Sequence, residues 1–147
     1  MTIQEQLNEA MKAAMKAQDS LRLSAIRMAR TAIKNAEIEA RGPLDDAGVI
    51  RVLSTLVKQR RESAEAYRGV RPELAAKEEQ ELAILQQFLP AQLDEVELKA
   101  IIAAAISASG ATGPRDMGAV MKLVTPQTTG RADGRLVSEL VKACLAG

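Results

Sequence analysis

The sequence of 147 residues contains no histidine and no tryptophan, and it has only one cysteine, one tyrosine and one phenylalanine. Without histidine, a single chain cannot assemble a His-containing zinc site, a two-His-one-carboxylate iron site, a Cys–His pair or a Ser–His–Asp triad. One cysteine cannot form an intramolecular disulfide either. These absences argue against most familiar hydrolytic chemistry. We expect no catalytic residue, no metal site and no cofactor in this chain.

Long hydrophobic runs are also missing. The longest apolar stretch, residues 100–106, is far shorter than the roughly 20 residues that a membrane-spanning helix needs. The first residues carry neither the basic region nor the hydrophobic stretch of a signal peptide. From the sequence alone we expect a cytosolic protein that does not associate with a membrane.

What the chain does contain is typical of a soluble globular protein, with 47% apolar and 27% charged residues. With so few aromatics, the core must be aliphatic. The net charge is only +1, but residues 22–61 hold nine Lys or Arg against four Asp or Glu, whereas residues 73–97 hold one Lys against seven acids. One end of the molecule should therefore be basic.

The spacing of apolar residues predicts helices from end to end and no strands. Capping residues and prolines define four helices in the first part, ending near Lys16, Arg41, Gly69 and before Pro90. Three more should follow: from Asp94 to Gly110, from Pro114 with an interruption at 126–130, and from Asp133 to the end. The predicted fold is all-α, with an N-terminal bundle of about four helices in residues 1–91 and a small three-helix domain in residues 92–147.

A basic stripe is the first candidate for function. On a helical wheel, four cations of the second helix fall within an arc of roughly 60°, opposite the apolar face; they are Arg27, Arg30, Lys34 and Arg41. Four cations on one rigid helix can follow a nucleic-acid backbone. The alternative is a solvated outer face with charges partly paired at i,i+4, as between Glu37 and Arg41.

Three charges point inward instead. The wheel places Arg60 within the apolar arc of the third helix, and Glu78 and Glu81 within that of the fourth. Because a buried unpaired charge costs several kcal/mol, we expect Arg60 to be bridged by Glu78 or Glu81. The alternative is a carboxylate pair for acid–base catalysis, but an adjacent guanidinium favours the ionised carboxylate and disfavours a proton donor.

The second part of the chain offers weaker candidates. Gly118 lies inside a predicted helix, where glycine costs about 1 kcal/mol relative to alanine, so another backbone should approach it closely, either from this domain or from a partner. Met121 would belong to the same interface. Cys144 is expected in the core. Arg131 follows Gly130 in a turn that opens onto a helix N-terminus, where anions are favoured.

Several motifs together carry a resemblance to a known family. In chain order they are Lys58-Gln-Arg-Arg-Glu-Ser63, Tyr67, Glu78-x-x-Glu81, Leu85, Phe88-Leu-Pro90, Asp116-Met-Gly-x-x-Met121 and Gly130-Arg-Ala-Asp-Gly134. This pattern, which covers essentially the whole chain, resembles the YqeY-like proteins. That family shares a helical region with the tail of the B subunit of glutamine-dependent aspartyl/glutamyl-tRNA amidotransferase, where the tail helps to hold the tRNA.

The resemblance implies an accessory module without chemistry of its own, because the amide-transfer reaction lies in other domains and subunits. The leading hypothesis is a non-catalytic protein that binds tRNA or another structured RNA. With almost no aromatics for stacking, its contacts should be to phosphate and shape. A second hypothesis is an adaptor whose C-terminal domain docks on a protein of the translation or amidotransferase machinery. The least favoured is a freestanding amidotransferase.

Overall fold

The protein is all-α, as the sequence predicts. The computed structural model describes residues 1–146, and within that range it contains seven α-helices, one 3-10 helix and no strand. The α-helices are α1 (Ile3–Ala17), α2 (Ser20–Ala40), α3 (Asp46–Tyr67), α4 (Pro72–Gln86), α5 (Glu95–Ser109), α6 (Met117–Thr128) and α7 (Gly134–Ala146). The 3-10 helix, Pro114–Asp116, directly precedes α6.

The chain divides into two compact units. Unit 1 runs from Met1 to Pro90 and unit 2 begins at Ala91, one residue before the start of the predicted second domain. Residue 147, which the prediction assigns to that domain, lies outside the described residues. Each unit has a hydrophobic core of its own.

Side-chain caps explain where several helices begin. The Thr2 hydroxyl accepts a hydrogen bond from the Glu5 amide at 3.1 Å, and the Glu5 carboxylate accepts one from the Thr2 amide at 3.1 Å. Asp94 and Glu97 form the same reciprocal box at the start of α5. Such caps satisfy amides that have no partner inside the helix. The spacings Thr2-x-x-Glu5 and Asp94-x-x-Glu97 predict both boxes from the sequence, and the structure confirms them.

Helix α2 ends near Arg41, as the sequence predicts, but the residue that ends it is not a glycine. The left-handed residue that ends the helix is Arg41, with φ 58°, and not Gly42. Gly42 precedes Pro43, and a residue before proline is excluded from helical conformations and pushed toward an extended one. The left-handed conformation is therefore adopted one residue earlier, by Arg41, although this conformation is sterically unfavourable for a residue with a Cβ atom.

The sixth helix ends inside the predicted break at residues 126–130, but Pro126 is not the residue that ends it. Helix α6 continues through Pro126 to Thr128. A proline in the last turn removes one backbone donor, but polar side chains there bond to the backbone carbonyls. Gln127 donates to the Leu123 carbonyl at 2.9 Å, and the Thr128 hydroxyl donates to the Val124 carbonyl at 3.1 Å.

Both cores are mainly aliphatic, and that of unit 1 also contains Phe88. The fully buried residues of unit 1 include Leu7, Ile26, Leu53 and Leu85, and those of unit 2 include Leu98, Ile102, Val120, Val124, Val137 and Val141. The expectation of a buried Cys144 is wrong, because this thiol is exposed. In the last turn of α7 the core position is taken by Leu145, the next residue.

Candidate nucleic-acid interface

Helix α2 has one face fixed in the core of unit 1 and another open to solvent. Its buried residues are Ala25, Ile26, Ala29 and Ile33. This apolar face determines how the helix is rotated in the bundle. The cations on the opposite arc therefore face the solvent.

The basic stripe, Arg27, Arg30, Lys34 and Arg41, is exposed along its whole length. Arg27 and Lys34 are seven residues apart, which corresponds to about 10 Å along a helix axis. Arg41 extends the row beyond the last helical residue, from the left-handed cap. The stripe is a row of cations whose backbone is rigid.

Among residues 1–146, no carboxylate lies within 4.0 Å of a stripe cation. The alternative pairing of Glu37 with Arg41 is not formed. Glu37 instead accepts hydrogen bonds from the Leu44 amide at 2.9 Å and from the Gln4 side chain at 3.4 Å. Glu37 therefore helps to hold the α2–α3 turn and leaves Arg41 uncompensated.

The turn between α3 and α4 contains two cations that, unlike those of the stripe, form salt bridges. Arg68 bonds to Glu79 and Arg71 bonds to Glu73, each at 2.9 Å. The Arg71 guanidinium also lowers the pKa of the Glu73 carboxyl. A phosphate would compete with a carboxylate for each of these two cations, whereas no carboxylate lies beside the cations of the stripe among the described residues.

Arg30 makes one contact within the protein. Its Nη1 donates to the thioether sulfur of Met11 on α1, at 2.8 Å. A thioether is a weak acceptor, so this contact orients the guanidinium without neutralising its charge. Met11 follows Ile3 and Leu7 at helical spacing, so the sequence indicates a residue of the apolar face of α1 and not this contact.

Arg131 lies in unit 2, and its guanidinium bonds to the backbone. Nε donates to the Ala91 carbonyl at 3.2 Å and Nη1 donates to the Gln127 carbonyl at 3.4 Å. The Leu93 amide in turn donates to the Arg131 carbonyl at 2.8 Å. These bonds tie the beginning of unit 2 to the turn before α7. Arg131 is therefore a weaker phosphate candidate than the stripe.

Arg60, Glu78 and Glu81 come together between α3 and α4. Nε of Arg60 lies 2.8 Å from Oε2 of Glu81 and 3.4 Å from Oε2 of Glu78. The side chains are 16%, 9% and 22% exposed, in the order Arg60, Glu81, Glu78. Nη2 of Arg60 contacts the Met28 sulfur, a partner that sequence reasoning missed.

The two distances within this cluster are short, yet neither Arg60 Nε nor Glu78 Oε2 makes a hydrogen bond of good geometry. The attraction between Arg60 and the two carboxylates is therefore mainly electrostatic, and it acts across the interface between α3 and α4. A carboxylate held beside a guanidinium is a poor proton donor. The arrangement favours a structural role for these three residues over acid–base catalysis.

Gly118 and Met121 lie on α6 in unit 2. A Cβ placed on Gly118 would meet nothing within 4 Å, and the residue is exposed. Close approach by another part of the same domain, one of the two explanations for this glycine, is therefore wrong. Met121 is half-buried and packs against the core. The space around Gly118 is open to a partner.

No group of three or more His, Cys, Asp or Glu residues that could hold a metal ion occurs in the described part of the chain. Among the described helices, none is by itself long and apolar enough to cross a bilayer. Helix α5 and the segment Pro114–Thr128 reach that length and composition only as a pair bent by 95°.

Comparison with known proteins gives one family and a set of relatives. A family model described as Yqey-like protein matches residues 4–145. The relatives are named "Altered inheritance of mitochondria protein 41, mitochondrial". The one from Vanderwaltozyma polyspora is 39% identical over 85 residues, covering 56% of this chain and 46% of the relative. The one from Eremothecium gossypii is 37% identical over 87 residues, covering 58% and 48%.

The chain thus matches about half the length of these curated relatives. Their names also correct one expectation. These two relatives and two further matches are named as mitochondrial proteins, which overturns the expectation of a cytosolic protein. That expectation depended on the composition of the first residues of the given sequence.

Proposed function

The chain belongs to the YqeY-like family, and from this premise we propose that it is an RNA-binding accessory protein without catalytic activity of its own. The family resemblance to the amidotransferase B-subunit tail makes tRNA the first RNA to test. The proposal concerns this chain alone, because the relatives are about twice as long as the segment that matches it.

The observation that carries the proposal is the basic stripe. Arg27, Arg30 and Lys34 are exposed on one arc of a helix whose other face is buried, and no carboxylate in the described residues compensates them. Three or four unneutralised cations in a fixed row match the requirement for contacts along a phosphate backbone. With a net charge of only +1, the protein would depend on this local row.

The charged cluster of unit 1 supports the non-catalytic part of the proposal. Glu78 and Glu81 are the carboxylates that sequence patterns place in an apolar interface, and Arg60 lies against both. Their charges are engaged in holding two helices together. Neither carboxylate is left over as a general acid or base for a reacting substrate.

The test is a salt titration of tRNA binding with a matched pair of double variants. Arg27→Ala/Lys34→Ala removes two stripe cations. Lys58→Ala/Lys77→Ala removes two exposed cations from α3 and α4 and changes the net charge equally. The stripe variant should flatten the slope of log affinity against log salt by roughly 0.7–0.9 per lost contact, and the control should not.

Helix content should be unchanged in both double variants, since none of the four side chains is buried. Equal loss of binding in the two variants would mean that net charge matters and the stripe does not. An absence of tRNA binding by the parent protein at low salt would reject the proposed function.

An adaptor role is the second candidate, and the open space around Gly118 is the observation that favours it. Gly118→Ala should leave the free protein as stable as before or slightly more stable, because the added methyl group meets nothing. If a partner backbone lies against this glycine, the same change should weaken the complex. Binding that is insensitive to salt would separate this role from RNA binding.

A further inference from the structure

The basic stripe can be assigned to a class of RNA, and this inference rests on the proposed function. We propose that the stripe binds the phosphates of a double-helical RNA stem in preference to a flexible single strand. Three properties of the molecule support this: the position of its aromatic residues, the ionic nature of the stripe, and the rigidity of α2.

The aromatic residues do not form a stacking surface. Proteins that bind single strands without sequence preference combine a basic groove with exposed aromatics on which successive bases stack. This chain has two aromatics in total. Phe88 is only 8% exposed within the core of unit 1, and Tyr67 belongs to α3 and not to the stripe helix. A single strand would lose its main non-ionic source of affinity.

A purely ionic surface gains more from a duplex. Two strands carry a higher charge density than one, so each neutralised phosphate releases more condensed counterion. The salt slope per contact is about 0.9 on B-form DNA and about 0.7 on a single strand, and we expect an RNA stem, which also has two strands, to resemble the duplex value. With the same three or four cations of the stripe, the duplex is the better ligand at low salt.

The rigidity of the stripe favours a rigid partner. Buried residues at Ala25, Ile26, Ala29 and Ile33 fix α2 along the part that carries Arg27, Arg30 and Lys34. A duplex holds its phosphates in place before binding, whereas a flexible strand must be ordered on the protein at an entropic cost. Double-stranded RNA is also recognised mainly by shape and by phosphate and 2′-hydroxyl contacts.

The experiment compares two RNAs with equal numbers of phosphates. One is a hairpin stem of about 16 base pairs, similar to the span of a double-stranded RNA-binding domain. The other is an unstructured oligouridine. Fluorescence anisotropy at low salt should show the stem binding at least tenfold more tightly. Arg27→Ala/Lys34→Ala should remove most of this preference, and Lys58→Ala/Lys77→Ala should retain it.

The outcomes distinguish a failure of the preference for duplex RNA from a failure of RNA binding itself. Oligouridine binding as tightly as the stem would overturn the preference for duplex and leave RNA binding intact. A preference for the stem that survives in the stripe variant would assign the duplex to another surface and overturn the inference. If neither RNA binds the parent protein at low salt, the proposed function fails and the inference fails with it.

Discussion

The two units are both helical and both have mainly aliphatic cores, but they differ in the polar groups that they bury. Unit 1 buries Glu81, which lies 2.8 Å from Arg60 on a neighbouring helix. In unit 2 the buried polar side chain is Thr128, whose hydroxyl bonds to a carbonyl of its own helix. The ionic contact therefore joins two particular helices, whereas the threonine contact lies within a single helix.

The units also differ in how their helices end. The left-handed positions of unit 1 are occupied by Gln18 and Arg41, and those of unit 2 by Gly110 and Gly130. Glycine adopts this conformation without a steric penalty, while other residues do not. Unit 1 thus accepts two local costs that unit 2 avoids. The helix ends of unit 1 therefore carry a steric cost that the glycine-capped helix ends of unit 2 do not.

The largest effect is expected when the ionic contact is broken from one side. Arg60→Ala should destabilise unit 1 by about 3–5 kcal/mol, because two carboxylates would remain in an apolar interface without their cation. Lys58→Ala, at an exposed position on the same helix, should cost well under 1 kcal/mol. Urea denaturation followed by circular dichroism measures both. Equal, small losses would show that Arg60 is effectively solvated.

Making unit 1 resemble unit 2 should reverse that loss. The triple variant Arg60→Met/Glu78→Leu/Glu81→Met replaces the charges by apolar side chains of similar size. Such replacements are often neutral or stabilising by about 1–4 kcal/mol relative to the ionic parent. The triple variant should therefore be at least as stable as the unmodified protein in the same urea series. A triple variant as unstable as Arg60→Ala would mean that the charges contribute more than mutual compensation.

Substitutions at the left-handed helix ends should change the stability of each unit by smaller amounts. Arg41→Gly should stabilise unit 1 by about 0.5–1 kcal/mol, since glycine relieves the left-handed position at φ 58°. Gly110→Ala should destabilise unit 2 by about 1 kcal/mol for the opposite reason. Thermal unfolding measures both shifts. A loss of stability in Arg41→Gly would show that the arginine side chain makes a compensating contact.

The smallest change is expected when the units are separated. A fragment of residues 91–147 should remain largely helical, because unit 2 has its own core and the Arg131 bonds to Ala91 lie within it. At that size its stability should be marginal. Circular dichroism of the fragment at low temperature measures its helix content. A coil-like spectrum would contradict the assignment of independent cores.

Local rules account for much of what the sequence could reveal. The capping boxes at Thr2 and Asp94 depend only on residues three positions apart, so they could be predicted from sequence alone. The inward position of Arg60 follows from helical periodicity, and the need for a partner follows from the cost of a buried charge. The resemblance to a family came from motifs spread over the whole chain.

The remaining features depend on tertiary context that periodicity does not contain. A helical wheel assigns Cys144 to the apolar face, but it cannot show that Leu145 takes the core position in the last turn. Likewise, a glycine in a helix indicates room for a neighbour without saying whether the neighbour is present, as Gly118 illustrates. Whether a cation such as Arg41 has a carboxylate partner also depends on tertiary contacts, because Glu37 bonds to Leu44 and Gln4 instead.

The connection between α1 and α2 has a consequence for how the protein folds. Only Gln18 and Asp19 separate the two helices, with Gln18 in the left-handed conformation and Asp19 capping α2. Closing such a short loop costs little chain entropy, so these helices can pair before the more distant pairing of α1 with α3. The helix that carries the stripe would then acquire its first tertiary neighbour early, before the rest of the bundle assembles.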